Sequence, residues 1–158
     1  MDKLHLDMMR AAIKLSRERM DAGFGGPFGA IVARGDRIVA EGFNEVTSSN
    51  DPTAHAEMTA IRDATKAIGG FNLQGLTLYT SCEPCSMCLG AIYWARLDAV
   101  YDGNTREDAA LISLDDDHIY REFAKPMAGR SIPFVKLDLP EAAQAFQAWA
   151  DKPDKVQY

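Results

Sequence analysis

The sequence predicts an α/β protein built as a three-layer α/β/α sandwich around a mixed β-sheet. Three observations carry that expectation. The chain opens with a long stretch of helical hydrophobic period, continues with two β-rich runs joined by Gly35-Asp36, and then alternates helices with single short strands. An opening hairpin gives antiparallel pairing, and strands separated by helices need crossover connections that favour parallel pairing, so the sheet is expected to be mixed.

Over residues 4–21, Leu4, Met8, Ala11, Ala12, Leu15 and Met20 recur near the helical period, with Lys14, Arg17, Glu18 and Arg19 among the polar positions between them. Gly23 ends this amphipathic helix, and the run 23–27 turns the chain into strands at 28–33 and 37–43. Gly35-Asp36 is the hairpin turn. Residues 45–51 are polar and read as a loop closed by Pro52. A second helix over 55–68 carries Met58, Ile61, Ala64 and Ile68 on one side and stops at Gly69-Gly70. Residues 76–80 read as a short buried strand. Pro84 then introduces a helix over 85–95, where proline is tolerated at the first turn. Further on, 99–101 is a third short β segment, 106–114 and 119–124 read as helices, and 132–137 as a last strand. Residues 141–150 form an amphipathic helix with Ala145, Phe146 and Trp149 on its apolar side, and the polar stretch 151–158 has little reason to be ordered alone.

At 158 residues the chain fits one domain with a core large enough to need no staple, so a metal in it need not be structural. Hydrophobic residues make up 47% and charged residues 25%, an ordinary globular balance that implies order nearly throughout. The net charge is -6, from 23 acidic against 17 basic side chains, which disfavours an extended nucleic-acid footprint. Three cysteines crowded between Cys82 and Cys88 are too close for a disulfide framework, and no apolar signal region or membrane-length run is seen. A reducing cytoplasm is the expected location.

The chemistry concentrates in His55-Ala56-Glu57 and Pro84-Cys85-Ser86-Met87-Cys88, which together offer one imidazole, two thiols and one carboxylate. Zinc takes four ligands. Three from the protein leave one position for a water whose pKa the cation lowers to about 7, and Glu57 could then carry the proton away. If the two helix N-termini meet, their positive dipole ends help hold both cysteines as thiolates. His-x-Glu followed by Pro-Cys-x-x-Cys is the order found in zinc-dependent deaminases. The competing reading is a closed structural Cys3His site with Cys82 as fourth ligand; Glu57, which a closed site does not require, and Pro84 beside Cys85 speak against it. An iron-sulfur site lacks a fourth cysteine.

Other residues take meaning from that site. Asn44, at a strand end, offers an amide to a heterocycle edge, although alone it reads as a turn asparagine. Phe28 and Trp94 could sandwich a flat ring, although either is more often core. The run Asp115-Asp116-Asp117 is a solvated face or a helix cap, or, inside a pocket, an acceptor for a substrate amine. His5 and His118 lack partner spacing and read as surface or structural.

With these residues in hand, the chain resembles the cytidine deaminase superfamily and, within it, the small zinc-dependent bacterial guanine deaminases. The likeness runs almost end to end. Beyond the two zinc motifs it includes the segments 25–30, 49–57, 79–85, 87–96, Lys125-Pro126, 132–134 and 146–149. The stretches around His55 and Cys85 are shared with tRNA adenosine deaminases, and the downstream segments argue for the guanine branch. The resemblance implies a cytidine deaminase-like fold, one Zn2+ per subunit on His55, Cys85 and Cys88, and Glu57 as proton shuttle. It further implies Asn44 and the Ala56 backbone on the purine, Phe28 and Trp94 lining it, and an aspartate of the acidic run, by register Asp116, on the amino group that leaves. Tyr158 would close the pocket, and residues 140–158 would cross to the partner subunit of a homodimer. The implied reaction is hydrolysis of guanine to xanthine and ammonia by a single domain spanning 1–158, a step of purine metabolism. A guanosine, cytosine-type or tRNA adenosine deaminase and a zinc-stabilised binding module are the other readings.

Overall fold

Asp2 caps the first helix with its own carboxylate, which accepts the Leu4 N–H at 3.3 Å. Helix α1 (Lys3–Asp21) follows, and a left-handed Gly23 lets the chain turn back. Strands β1 (Gly29–Arg34) and β2 (Arg37–Phe43) form the expected hairpin, with Gly35 taking the positive φ that a two-residue connection requires. A single helical turn, α2 (Val46–Ser49), precedes α3 (Ala56–Ile68); then come β3 (Thr77–Cys82), α4 (Ser86–Ala95), β4 (Ala99–Asn104) and α5 (Arg106–Leu111). The computed structural model describes residues 2–158, which fall into two compact units, one ending at Asp117 and one running from His118 to Tyr158.

In the first unit the sheet has the order β2-β1-β3-β4. β1 is antiparallel to both neighbours and β3 is parallel to β4, which makes the sheet mixed as expected. β1 and β3 are central and buried on both faces, so alternate residues of each strand enter two different cores. Ala30, Val32 and Leu78 pack with Ala60, Ile61 and Ala64 of α3 and Ile92 and Ala95 of α4. Ile31, Ala33 and Tyr79 pack with Met8, Ala12 and Leu15 of α1. Each fully buried aliphatic side chain contributes about 1.5–3 kcal/mol, and the two clusters bind one helical layer to each face. His5, read from the sequence as surface or structural, is structural. It stacks on Tyr101, and its two ring nitrogens lie 2.8 Å from the Tyr79 hydroxyl and 3.2 Å from that of Tyr101.

Strand direction decides where the site forms. β2 and β3 both run antiparallel to β1, so their carboxyl ends, Phe43 and Cys82, lie at the same edge of the sheet. α3 is pressed onto β2 at Gly42, where a Cβ would stand 2.2 Å from the Ala56 carbonyl oxygen and 2.3 Å from the Ala60 nitrogen. Thr59 ties the same turn to the Phe43 carbonyl at 3.1 Å. The first turns of α3 and α4 therefore open side by side, at the carboxyl ends of strands.

Three expectations change. Residues 45–51 are not wholly loop: the Ser49 hydroxyl returns to the Glu45 carbonyl at 2.6 Å and closes α2. The helix expected over 106–114 ends at Leu111, because Ser113 takes a left-handed φ of 66°. The strand expected over 132–137 is not formed. A strand exists only as a paired ladder, and the second unit contains helix α6 (Asp117–Ala124, which starts at the last residue of the first unit), a 3-10 turn at Met127–Gly129 and helix α7 (Pro140–Asp151), with no strand among its described residues. His118 and the whole of 131–150 are exposed there.

Candidate active site

His55 is the N-cap of α3 and Cys85 the N-cap of α4, both with extended backbone and neither using its side chain to cap the helix. N-cap positions usually hold Ser, Thr, Asp or Asn, whose side chains bond back to the helix. Here they hold an imidazole and a thiol that stay available, and Cys88 joins them from the first turn of α4. His55 Nδ1 lies 3.5 Å from Cys85 Sγ and 3.7 Å from Cys88 Sγ, and the three donor atoms lie within 4.8 Å of one another. An imidazole nitrogen and a thiolate on one tetrahedral zinc would be about 3.6 Å apart. The donor set and its spacing fit Zn2+.

The electrostatics are those of a site prepared for a cation. The Cys85 thiol is lowered to about 4, chiefly by the hydrogen bond from Cys88 and further by His55, against burial. Cys88 is shifted upward by the same bond and by burial, so the pair shares one proton, which metal binding would release. Hydrogen bonding to Cys85 raises the His55 imidazole, with smaller contributions from the charges of Glu57 and Asp116.

Glu57 is 6% exposed, and burial raises its carboxyl above the usual range. Its Oε1 accepts from the Thr80 hydroxyl at 3.0 Å and its Oε2 stands 3.4 Å from Cys88 Sγ, so the carboxylate borders the metal ligands without being one of the three. Cys82 stands outside the cluster. Its thiol donates to the Thr105 carbonyl at 3.5 Å and is raised to about 11 by burial, so the closed Cys3His arrangement is not formed.

The remaining expected residues divide. Asn44 is buried, and its Oδ1 is committed to the loops, accepting from the backbone N–H of Gly26 at 3.2 Å and of Val46 at 3.3 Å. Only its NH2 group is left to offer a ligand, so Asn44 can donate but not accept. Gly25 makes this possible, since a Cβ there would stand 2.4 Å from Asn44 Oδ1. Ala56 is fully buried, and its N–H is among the first of α3, which helix geometry leaves without an intrahelical partner. Phe28 is half-buried next to Asn44, whose N–H donates to its carbonyl at 3.1 Å. A cavity of about 640 Å³ with Phe28 and Cys82 in its wall lies on the α1 side; His55, Cys85 and Cys88 are outside it.

Trp94 is not brought to the ligands within the single chain. It lies about 9 Å further along α4 than Cys88 and is 67% exposed. Tyr158 belongs to the second unit and is 71% exposed.

The acidic run resolves residue by residue. Asp115 accepts from the Asp117 N–H at 2.8 Å and so shapes the start of α6, whose first residue is Asp117. Asp116 is held by Arg106, Nε to Oδ1 at 3.2 Å, while its Oδ2 is buried with no hydrogen-bond partner among the described residues. Two residues here carry no chemical signal of their own in the sequence. Thr80 reads as an ordinary strand threonine, and Arg106 as a surface helix residue.

A fold of this topology with a His-Cys-Cys zinc site and a buried glutamate defines a zinc-dependent deaminase. The chain belongs to the cytidine and deoxycytidylate deaminase family, whose zinc-binding region model matches residues 2–103. It is 51% identical to guanine deaminase of Bacillus subtilis over 98% of this chain and 99% of that one. The crystal structure of guanine deaminase from Bacillus subtilis superposes with a TM-score of 0.95 at 49% identity, covering 100% of this chain and 99% of the other. A tRNA-specific adenosine deaminase of Buchnera aphidicola is 42% identical, over only 52% of this chain and 54% of its own. No helix among the described residues is long and apolar enough to cross a membrane.

Proposed function

We propose that this protein hydrolyses guanine to xanthine and ammonia in purine metabolism, within a reducing cytoplasm that keeps its three free cysteines available. Asp116 Oδ2 carries the reading. It is a buried acceptor without a donor among the described residues, close enough to His55 for its charge to act on the imidazole, and an amino group beside the metal site would satisfy it. The likeness to Bacillus subtilis guanine deaminase along nearly the whole chain supports guanine as that group's owner.

Zinc on His55, Cys85 and Cys88 supplies a Lewis acid that makes a water nucleophilic at neutral pH. Glu57 takes a proton from the water as its oxygen attacks C2 of guanine, and delivers that proton to N3. The second proton passes from the new C2 hydroxyl to the departing nitrogen, which Asp116 holds, and ammonia leaves as the C2 carbonyl forms. The Asn44 NH2 and the Ala56 N–H donate to acceptors on the purine edge, and the Phe28 ring packs on its face.

Trp94 and Tyr158 would join the pocket through a homodimer. Tyr93 and Trp94 on α4 are 76% and 67% exposed, and Val135, Leu137 and Phe146 of the second unit are 77%, 75% and 83% exposed. Apolar surface on this scale favours a partner, and a second copy exchanging residues 140–158 would cover it and bring the partner subunit's Tyr158 over the purine.

The reading is tested by measuring ammonia release from purified zinc-loaded protein with guanine, guanosine, adenine, cytosine, cytidine and a tRNA anticodon stem. Guanine should be the preferred substrate, with little salt dependence. Preference for guanosine or for the tRNA stem would replace it.

A further inference from the structure

Thr80 stands in central strand β3, and by strand alternation its side chain shares the face of Leu78, the face on which α3 packs. Its partner across the ladder is Ala30, whose methyl group leaves room over the sheet for a side chain coming down from α3. Glu57, in the first turn of α3, reaches Thr80 on that face. Thr80 is 1% exposed, and its hydroxyl donates to Glu57 Oε1 at 3.0 Å. The other oxygen, Oε2, lies 3.4 Å from Cys88 Sγ, on the side of the metal ligands.

A glutamate carboxylate turns readily about its terminal torsion and presents either oxygen. A hydrogen bond from a hydroxyl fixed on a central strand removes that freedom. Valine would fill the same space and suits a buried strand at least as well, so a hydroxyl this deeply buried is explained by the partner it serves. We infer that Thr80 is a positioning residue for the proton shuttle: it ties Oε1 of Glu57 to the sheet and leaves Oε2 as the oxygen that accepts and returns the proton. This rests on the deaminase reading of Glu57 and goes beyond it by assigning the two oxygens separate tasks.

Thr80→Val and Thr80→Ser, each zinc-loaded, test the assignment. Thr80→Val should keep one zinc per subunit and a KM for guanine within about twofold of the parent, while kcat falls roughly tenfold to a hundredfold, the usual weight of a hydrogen bond to a charged group. Thr80→Ser should recover most of that loss. A second readout needs no substrate. The antisymmetric carboxylate stretch of Glu57, identified in the infrared spectrum as the band missing from Glu57→Gln, should shift in Thr80→Val and return in Thr80→Ser. Unchanged kcat in Thr80→Val, loss of zinc together with rate, no recovery in Thr80→Ser, or an unmoved band would each overturn the assignment. Failure of the guanine reading is separate: the parent protein itself would release no ammonia from guanine, and the infrared comparison would then decide the role of Thr80 alone.

Discussion

Arg106 Nε donates to Asp116 Oδ1 at 3.2 Å and leaves Asp116 Oδ2 buried, with no hydrogen bond from the described residues. The two side chains are 27% and 21% exposed, so the pair is partly screened by water and its value lies in orientation more than in stability. The Arg106 backbone N–H is in turn held by Glu83 Oε2 at 3.2 Å, which links the aspartate to the loop between β3 and the cysteines.

Arg106→Gln is expected to raise KM for guanine and lower kcat, each about tenfold, because a displaced Asp116 no longer meets the amino group. Zinc content should be unchanged. Parent values of both constants in Arg106→Gln would show that Asp116 needs no support from Arg106.

Cys82→Ser should retain zinc and turnover. The Cys82 thiol is protonated, raised to about 11, and bonded to the Thr105 carbonyl, so its sulfur is not needed by the metal. Stoichiometric loss of zinc from Cys82→Ser, with zinc kept by Cys85→Ser, would reverse the ligand assignment.

Glu57→Gln should bind zinc and slow turnover by at least about a hundredfold. It should also stabilise the zinc-free protein at neutral pH. Burial raises the Glu57 carboxyl in the folded state above its ordinary 4.5, so the folded protein holds this proton more tightly than the unfolded chain. The resulting penalty is absent below 4.5, grows as pH rises through the folded-state value, and is full above it. The gain in melting temperature from Glu57→Gln should therefore be present at pH 8 and fade on acidification towards 4.5. A gain that persists at pH 4 would assign it to something other than ionisation.

Removal of residues 151–158 should leave folded, zinc-loaded protein with a strongly reduced rate on guanine, and dilution below the dimer dissociation constant should reduce the rate of the intact chain in the same way. Unchanged kinetic constants in the truncated protein, or a fully active monomer, would remove the partner subunit's Tyr158 from the pocket.

Much of the first unit was legible in the sequence because its information is local. The helical period of Met8, Ala12 and Leu15, the turn at Gly35-Asp36 and the spacing of His55, Glu57, Cys85 and Cys88 each sit within a few residues, where a helix or a strand fixes which side chains share a face. The 132–137 segment failed for the complementary reason. Its composition suits a strand, but a strand forms only where another offers a ladder, and composition cannot say whether one does.

What the sequence determined by itself was the chemistry: a His-Cys-Cys donor set for zinc, a glutamate beside it, and an α/β frame with a mixed sheet. Tertiary structure alone decided how that chemistry is aimed. It set the carboxyl ends of β2 and β3 at one edge so that two helix N-caps meet, gave Thr80 to Oε1 of Glu57, spent the Asn44 carbonyl on the loops, and singled out Asp116 from its neighbours by burying its Oδ2 while Arg106 holds its Oδ1. Ligand identity depends on which side chains are present, whereas the orientation of a carboxylate or amide depends on donors that come from elsewhere in the chain. Thr80 and Glu57 are 23 residues apart, and only folding brings them within a hydrogen bond.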